Sequence, residues 1–269
     1  MTNNRSLGAI VSIIGAIFGI IITPLFFMIL YEPLIAAEEA LGGSAFGCAV
    51  VVVFIFPFIS DIGVIAGVMY ALSAIGFISG DRKSFKIAIV ANVLALQSSF
   101  WPIIPLLVTG LTPLFAFIFL PNLIIFFLLM GAVRRLPFKT TLLALLTGMA
   151  WVLAFMNGVA STNRLVVLNA EPIVSLFVAS QRLNWAASIG WGIVTIGIAL
   201  NPKEWVRKLG LGAGILQIAV GYASGVFSPF GGGFSMFLLS PMISTLLVVL
   251  LISPKVWEKL VGKREDEST

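Results

Sequence analysis

Apolar residues in this chain do not alternate with polar ones at a strand or helix period. They run together in long stretches with short polar punctuation between them. The runs cover 7–31, 45–80, 87–110, 112–133, 140–160, 172–200, 209–226 and 234–253. A helix needs about 20 apolar residues to cross the roughly 30 Å hydrocarbon layer of a bilayer. The pattern therefore predicts an all-α polytopic transmembrane bundle of eight helices. The second and sixth runs are long enough to tilt, to kink or to begin on an outer surface, and Pro57 is expected to break the second. The first run follows Arg5 and extends from Leu7 to Leu30. A cleavable signal core is about 7–15 residues long, so this run is read as a retained helix.

The basic residues fall on alternate connections. Arg5 precedes the first run. Arg82, Lys83 and Lys86 follow the second, and Arg134, Arg135 and Lys139 the fourth. Lys203, Arg207 and Lys208 follow the sixth, and Lys255, Lys259, Lys263 and Arg264 the eighth. That places 14 of the 16 Lys and Arg on one side, with Glu32, Glu38, Glu39 and Glu171 on the other. Lys and Arg are retained on the cytoplasmic face, so both termini are expected in the cytoplasm. The charge bias and the lack of targeting features fit a prokaryotic plasma (inner) membrane. The tail 255–269 begins as a short amphipathic helix around Trp257 and ends in charged residues, a pattern expected at a membrane surface.

Composition narrows the chemistry. Of 269 residues, 59% are hydrophobic and only 10% charged, against about 25% charged in a soluble domain. A net charge of +5 does not point to nucleic acid, because the basic residues form no single patch. Membrane lipids are the expected surroundings. The single cysteine, Cys48, excludes an intrachain disulfide. There is no histidine, which removes the commonest ligand for haem, copper, zinc and iron. No cofactor or metal is expected. The chain has no Gly-x-Ser-x-Gly elbow, no P-loop and no zinc motif, and an enzyme is not expected.

The connections on the acidic side alternate between long and short, which prompts a search for an internal repeat. A shift of 120 or 121 residues sets Tyr70 on Trp191, Ala66 on Ala187, Ile75-Gly76 on Ile196-Gly197, Gln97 on Gln217 and Pro121 on Pro241. The first and fifth helices need a different offset, and chance matches between apolar stretches are common. If the repeat is real, 1–138 and 139–269 are four-helix halves of like orientation, related by an axis along the membrane normal.

Few residues can carry chemistry. Asp61 and Arg182 lie in the outer parts of the second and sixth runs, and the 121-residue shift superposes them. Charge inside a membrane is costly and generally has a role. Together they would form an intramembrane ion pair or the outer side of a pathway; the plainer alternative is two interfacial residues, with Trp185 as an anchor beside Arg182. Asn92, Gln97, Ser98 and Asn122 lie near Trp101, Pro102, Pro105, Pro113 and Pro121. Proline frees backbone carbonyls that must be re-satisfied, so these amides are candidates for a polar cavity among the third, fourth, seventh and eighth helices. Ordinary interhelical hydrogen bonding is the alternative. Small-residue pairs (Gly15 and Gly19, Gly63 and Gly67, Gly210 and Gly214, Gly221 and Gly225) mark close helix contacts, either inside the bundle or with a partner or second copy. The glycine-rich stretch from Phe227 to Phe234 is read as a turn or a cover over a vestibule. Two function classes follow: a small permease or carrier for a small or lipid-like solute, or a non-catalytic accessory subunit of a larger membrane complex.

Overall fold

The computed structural model describes residues 4–41, 49–168, 174–226 and 235–262. Cys48, Glu171, the Phe227–Phe234 stretch and the end of the tail, all singled out above, lie outside the described residues. What is described is helical: α1 Arg5–Ile17, α2 Thr23–Ala40, α3 Ala49–Ser79, α4 Ser84–Phe100, α5 Ile103–Val108, α6 Ala116–Phe127, α7 Phe138–Leu168, α8 Val174–Leu200, α9 Glu204–Val226, α10 Leu239–Ile252 and α11 Pro254–Val261. Among the described residues, seven segments are long and apolar enough to cross a membrane alone; α10 qualifies only together with α11, from which it is bent by 98°. The chain is an all-α polytopic membrane bundle. The basic turns fall on alternate connections only if α10 crosses too, which a short 3-10 turn at Met236–Leu238 ahead of it helps it to do.

Several boundaries differ from the sequence expectation. Residues 32–40, expected in a loop, continue α2 to Ala40. Leu30, Leu34 and Glu38 recur every fourth residue and are buried along one face, which holds the helix together past Pro33. Residues 161–168 likewise continue α7, with Ser161 and Asn163 buried. Pro57 does not break α3, which runs unbroken through it. The adjacent Phe56 is fully buried, with its ring 5.1 Å from Phe27, 5.6 Å from Phe115 and 6.4 Å from Trp101. Packing on this scale offsets one lost backbone bond. The break comes instead at Trp101-Pro102, between α4 and α5.

The chain packs as two compact units, residues 1–134 with 156–182, and residues 135–155 with 183–269. In the first unit a π turn, Phe18–Ile22, joins α1 to α2. Pro24 has no N–H to give the preceding turn, and the Thr23 hydroxyl donates to the Phe18 carbonyl at 3.0 Å. This turn sets Gly19 directly on the backbone of Gly67. On the same face of α1, a Cβ at Gly15 would fall 2.6 Å from the Tyr70 ring and one at Gly8 2.7 Å from Phe77. The Gly15/Gly19 and Gly63/Gly67 pairs are thus used within the chain, between α1 and α3 and between α3 and α4.

In the second unit α9 and α10 are the close pair. Gly210 faces Leu251, Gly214 faces Val248, Gly221 faces Pro241 and Gly225 faces Leu238. Arg207 fixes the far end of the pair. Its guanidinium holds Glu204 at 2.6 Å and donates to the carbonyls of Leu251 at 2.8 Å and Ile252 at 3.3 Å. Those carbonyls end α10 and have no helical partner, so a cation there also complements the helix dipole. Ser253 then turns the chain into α11, whose Trp257 is buried and whose Leu260 carbonyl accepts from Thr140 at 3.0 Å. The tail helix expected at the surface is therefore docked on the protein through Trp257. Arg207→Ala should lower the thermal midpoint in detergent by several degrees and free α11 for proteolysis. A midpoint equal to wild type would show that the clamp is dispensable.

Candidate functional site

The first unit carries a closed network. Tyr70 of α3, Asn92 of α4 and Asn122 of α6 are all buried. Asn92 Nδ2 donates to the Tyr70 hydroxyl at 2.7 Å and to the Asn122 carbonyl at 2.8 Å. The Tyr70 hydroxyl donates to Asn122 Oδ1 at 3.3 Å, and Asn122 Nδ2 donates to the Ile118 carbonyl at 2.9 Å. The Tyr70 ring fits because Gly15 presents no side chain to it. These bonds tie three helices together. Asn92 Oδ1 alone is left without a partner among the described residues.

Of the other candidates, Ser98 faces α3 at Gly63 and spends its hydroxyl on the Ala95 carbonyl of its own helix. Gln97 is buried, and neither its amide nitrogen nor its oxygen has a partner among the described residues. Five residues separate Gln97 from Asn92, so the two point about 140° apart around α4. The structure brings Asn92 and Asn122 together and leaves Gln97 on a different face. Asp61 and Arg182 are both exposed, and among the described residues neither joins an ion pair. Glu38, expected in a solvated acidic loop, is buried while its neighbour Glu39 is exposed.

The larger concentration of unpartnered polar atoms is in the second unit. Gln217 of α9 is buried and donates through Nε2 to Asn184 Oδ1 of α8 at 2.8 Å. Its Oε1 has no partner among the described residues, and neither do Trp191 Nε1, Ser240 Oγ and Ser244 Oγ. Gln217 shares a face of α9 with Gly214 and Gly221, which press on Val248 and Pro241. It is thereby turned to the stretch of α10 that carries Ser240 and Ser244. The Trp191 ring lies against the same face, 3.2 Å from where a Gly214 Cβ would be. The lower ends of α7 and α8 are closed by saturated contacts: Ser188 to the Trp151 carbonyl at 3.1 Å and Thr195 to Thr147 at 3.0 Å.

One carbonyl oxygen, one indole N–H and two hydroxyls thus lie unpartnered along the α8, α9 and α10 seam of the second unit, with no formal charge among them. A buried polar group left unbonded costs about 1–3 kcal/mol, and native structures hold few of them. The set holds three donors and an acceptor. Sequence reasoning noted Gln217 only as the repeat partner of Gln97 and passed over Asn184, Ser240 and Ser244. The available signal was Gln217, an amide in an otherwise apolar run, with Asn184 two residues after Arg182 in the sixth. Comparison with protein-family models, with curated proteins and with solved structures finds no match to this chain.

Proposed function

We propose that this protein is a small permease or carrier that passes a small, uncharged, hydrogen-bonding solute across its membrane. The observation that supports the reading is the group of unpartnered buried polar atoms around Gln217, where Trp191, Ser240 and Ser244 supply donors and Gln217 Oε1 an acceptor. Binding sites are mostly apolar with a few placed polar groups, and Val248 and Pro241 of α10 are the apolar side chains packed on either side of Gln217 along the α9 seam. Without formal charge in this set, a charged solute would lack a counter-ion, whereas an amide or polyol would recover the missing bonds. The alternative, an accessory subunit, rests on the near absence of buried charge, of cofactor ligands and of a soluble domain, with the small-residue faces and exposed aromatics as its contact surfaces. Of these surfaces, the paired glycines pack against this chain's own helices, which favours the carrier reading.

The test is osmotic swelling of reconstituted vesicles, followed by stopped-flow light scattering with urea, acetamide and glycerol as solutes. The reading expects faster swelling than in protein-free vesicles for at least one solute. Ser244→Ala should slow it several-fold with the thermal midpoint unchanged, because the hydroxyl removed has no partner to lose. Swelling indistinguishable from protein-free vesicles for every solute would defeat the proposal.

A further inference from the structure

Asp61 and Arg182 stand on exposed faces of the same construction. On α3 the exposed positions Phe54, Phe58, Asp61, Ile65, Val68, Leu72 and Ile75 follow one another at alternating steps of four and three. On α8 the positions Ser175, Ala179, Arg182, Ala186, Ile189 and Ile193 are exposed at the same steps, with Val178 and Leu183 exposed beside them. A repeat of 3.5 residues is the seam of a left-handed helix pair, the commonest packing in membrane bundles. Each stripe has one charge, of opposite sign, at its third position.

The two charges also lie at one depth. Asp61 is 18 residues before the end of α3 at Ser79, and Arg182 is 18 residues before the end of α8 at Leu200. Both helices end at a basic turn, and each charge stands about 27 Å from it. Four crossings separate the start of one helix from that of the other, so both run the same way through the bilayer. All copies of a membrane protein insert with one orientation. The α3 stripe of one copy is therefore parallel to the α8 stripe of another, in register and at matching depth. In that register Phe58 meets Ala179 and Ile65 meets Ala186, large against small, on either side of the carboxylate and the guanidinium. A carboxylate flanked by Phe58 and Ile65 on a lipid-facing stripe is costly alone, and the partner stripe supplies its counter-ion.

We infer that the protein self-associates, with α3 of one copy against α8 of the next and Asp61 paired with Arg182 across the interface. The occupant is a second copy of this chain. The contact is heterologous, so it closes into a dimer or ring according to the angle between copies.

The test uses two differently tagged full-length forms co-expressed in one membrane, each with Cys48→Ser. One carries Ile65→Cys and the other Ala186→Cys; a second set carries Phe58→Cys and Ala179→Cys. Mild oxidation in native membranes should give a cross-linked species containing both tags for each set, and none for Phe58→Cys with Ile193→Cys, which is out of register. In native mass spectrometry from gentle detergent, Asp61→Arg and Arg182→Asp should each lose the oligomer, and the double swap should restore it. Absence of the mixed-tag species in both sets would overturn the inference. So would a third form carrying Ile65→Cys and Ala186→Cys on one chain that oxidises to an internal disulfide without any dimer, which would place the pair inside one copy. Vesicle swelling is read separately, so failure of the interface is distinguishable from failure of the transport reading.

Discussion

Gly19→Leu is expected to prevent the first unit from assembling, leaving little monodisperse protein in detergent. The position has no slack. The π turn at Phe18–Ile22 puts Gly19 on Gly67, and a Cβ there would meet the Gly67 backbone and, at 2.7 Å, the Gly63 carbonyl oxygen. An overpacked core usually loses about 1–3 kcal/mol, but it does so by bending side chains. Here the opposing atoms are backbone, so α1 must separate from α3. Separation would also move Gly15 off Tyr70 and open the Tyr70–Asn92–Asn122 network. The loss should pass the roughly 4–5 kcal/mol that marks exceptional substitutions. Gly131→Leu is the control, since nothing lies within 4 Å of a Cβ at that glycine. Fluorescence-detected size exclusion should show a sharp peak for Gly131→Leu and aggregate for Gly19→Leu. Equal peaks would mean that α1 and α3 do not meet as described.

Gln217→Leu is expected to separate function from stability. The leucine removes an oxygen with no partner and a nitrogen bonded to Asn184. The first change relieves a buried polar cost and the second forfeits a bond, and the two are of similar size, about 1 kcal/mol each. Asn184 keeps a further interaction, so it is not orphaned. The thermal midpoint should stay close to wild type. Swelling should fall at least about tenfold, because a site built to hydrogen-bond its ligand discriminates strongly once a partner is lost. An equally stable variant with wild-type swelling would remove Gln217 from the transport path.

How much of this was legible depended on which force set each feature. Lipid solvates apolar side chains at every position, so the crossing segments appear as unbroken runs and the basic turns between them stand out. Helix ends were less legible. The sequence ended the first helix near Tyr31, yet α2 continues because Leu34 and Glu38 find a buried face, and burial of a glutamate is set by its neighbours. Pro57 carries the same lesson: its local effect is a break, and the ring packing around Phe56 overrides it. Pro24, with Thr23, shaped the π turn that seats Gly19, and the sequence reading passed over it. The amides Asn92 and Asn122 could be singled out as polar residues in apolar runs, but their joining through Tyr70 depends on which faces three helices turn to one another. Ser240 and Ser244 resemble ordinary helix serines in sequence. Only the glycine contacts between α9 and α10 show that they lie on the part of α10 packed against α9.

The most direct test of the account is the swelling rate of vesicles holding matched amounts of wild-type and Gln217→Leu protein, measured with urea, acetamide and glycerol on both sides of the comparison. The account predicts faster swelling of wild-type vesicles for at least one of these solutes and a return to the protein-free rate with Gln217→Leu. Wild-type and variant rates that agree, whether both high or both at the protein-free level, would contradict it.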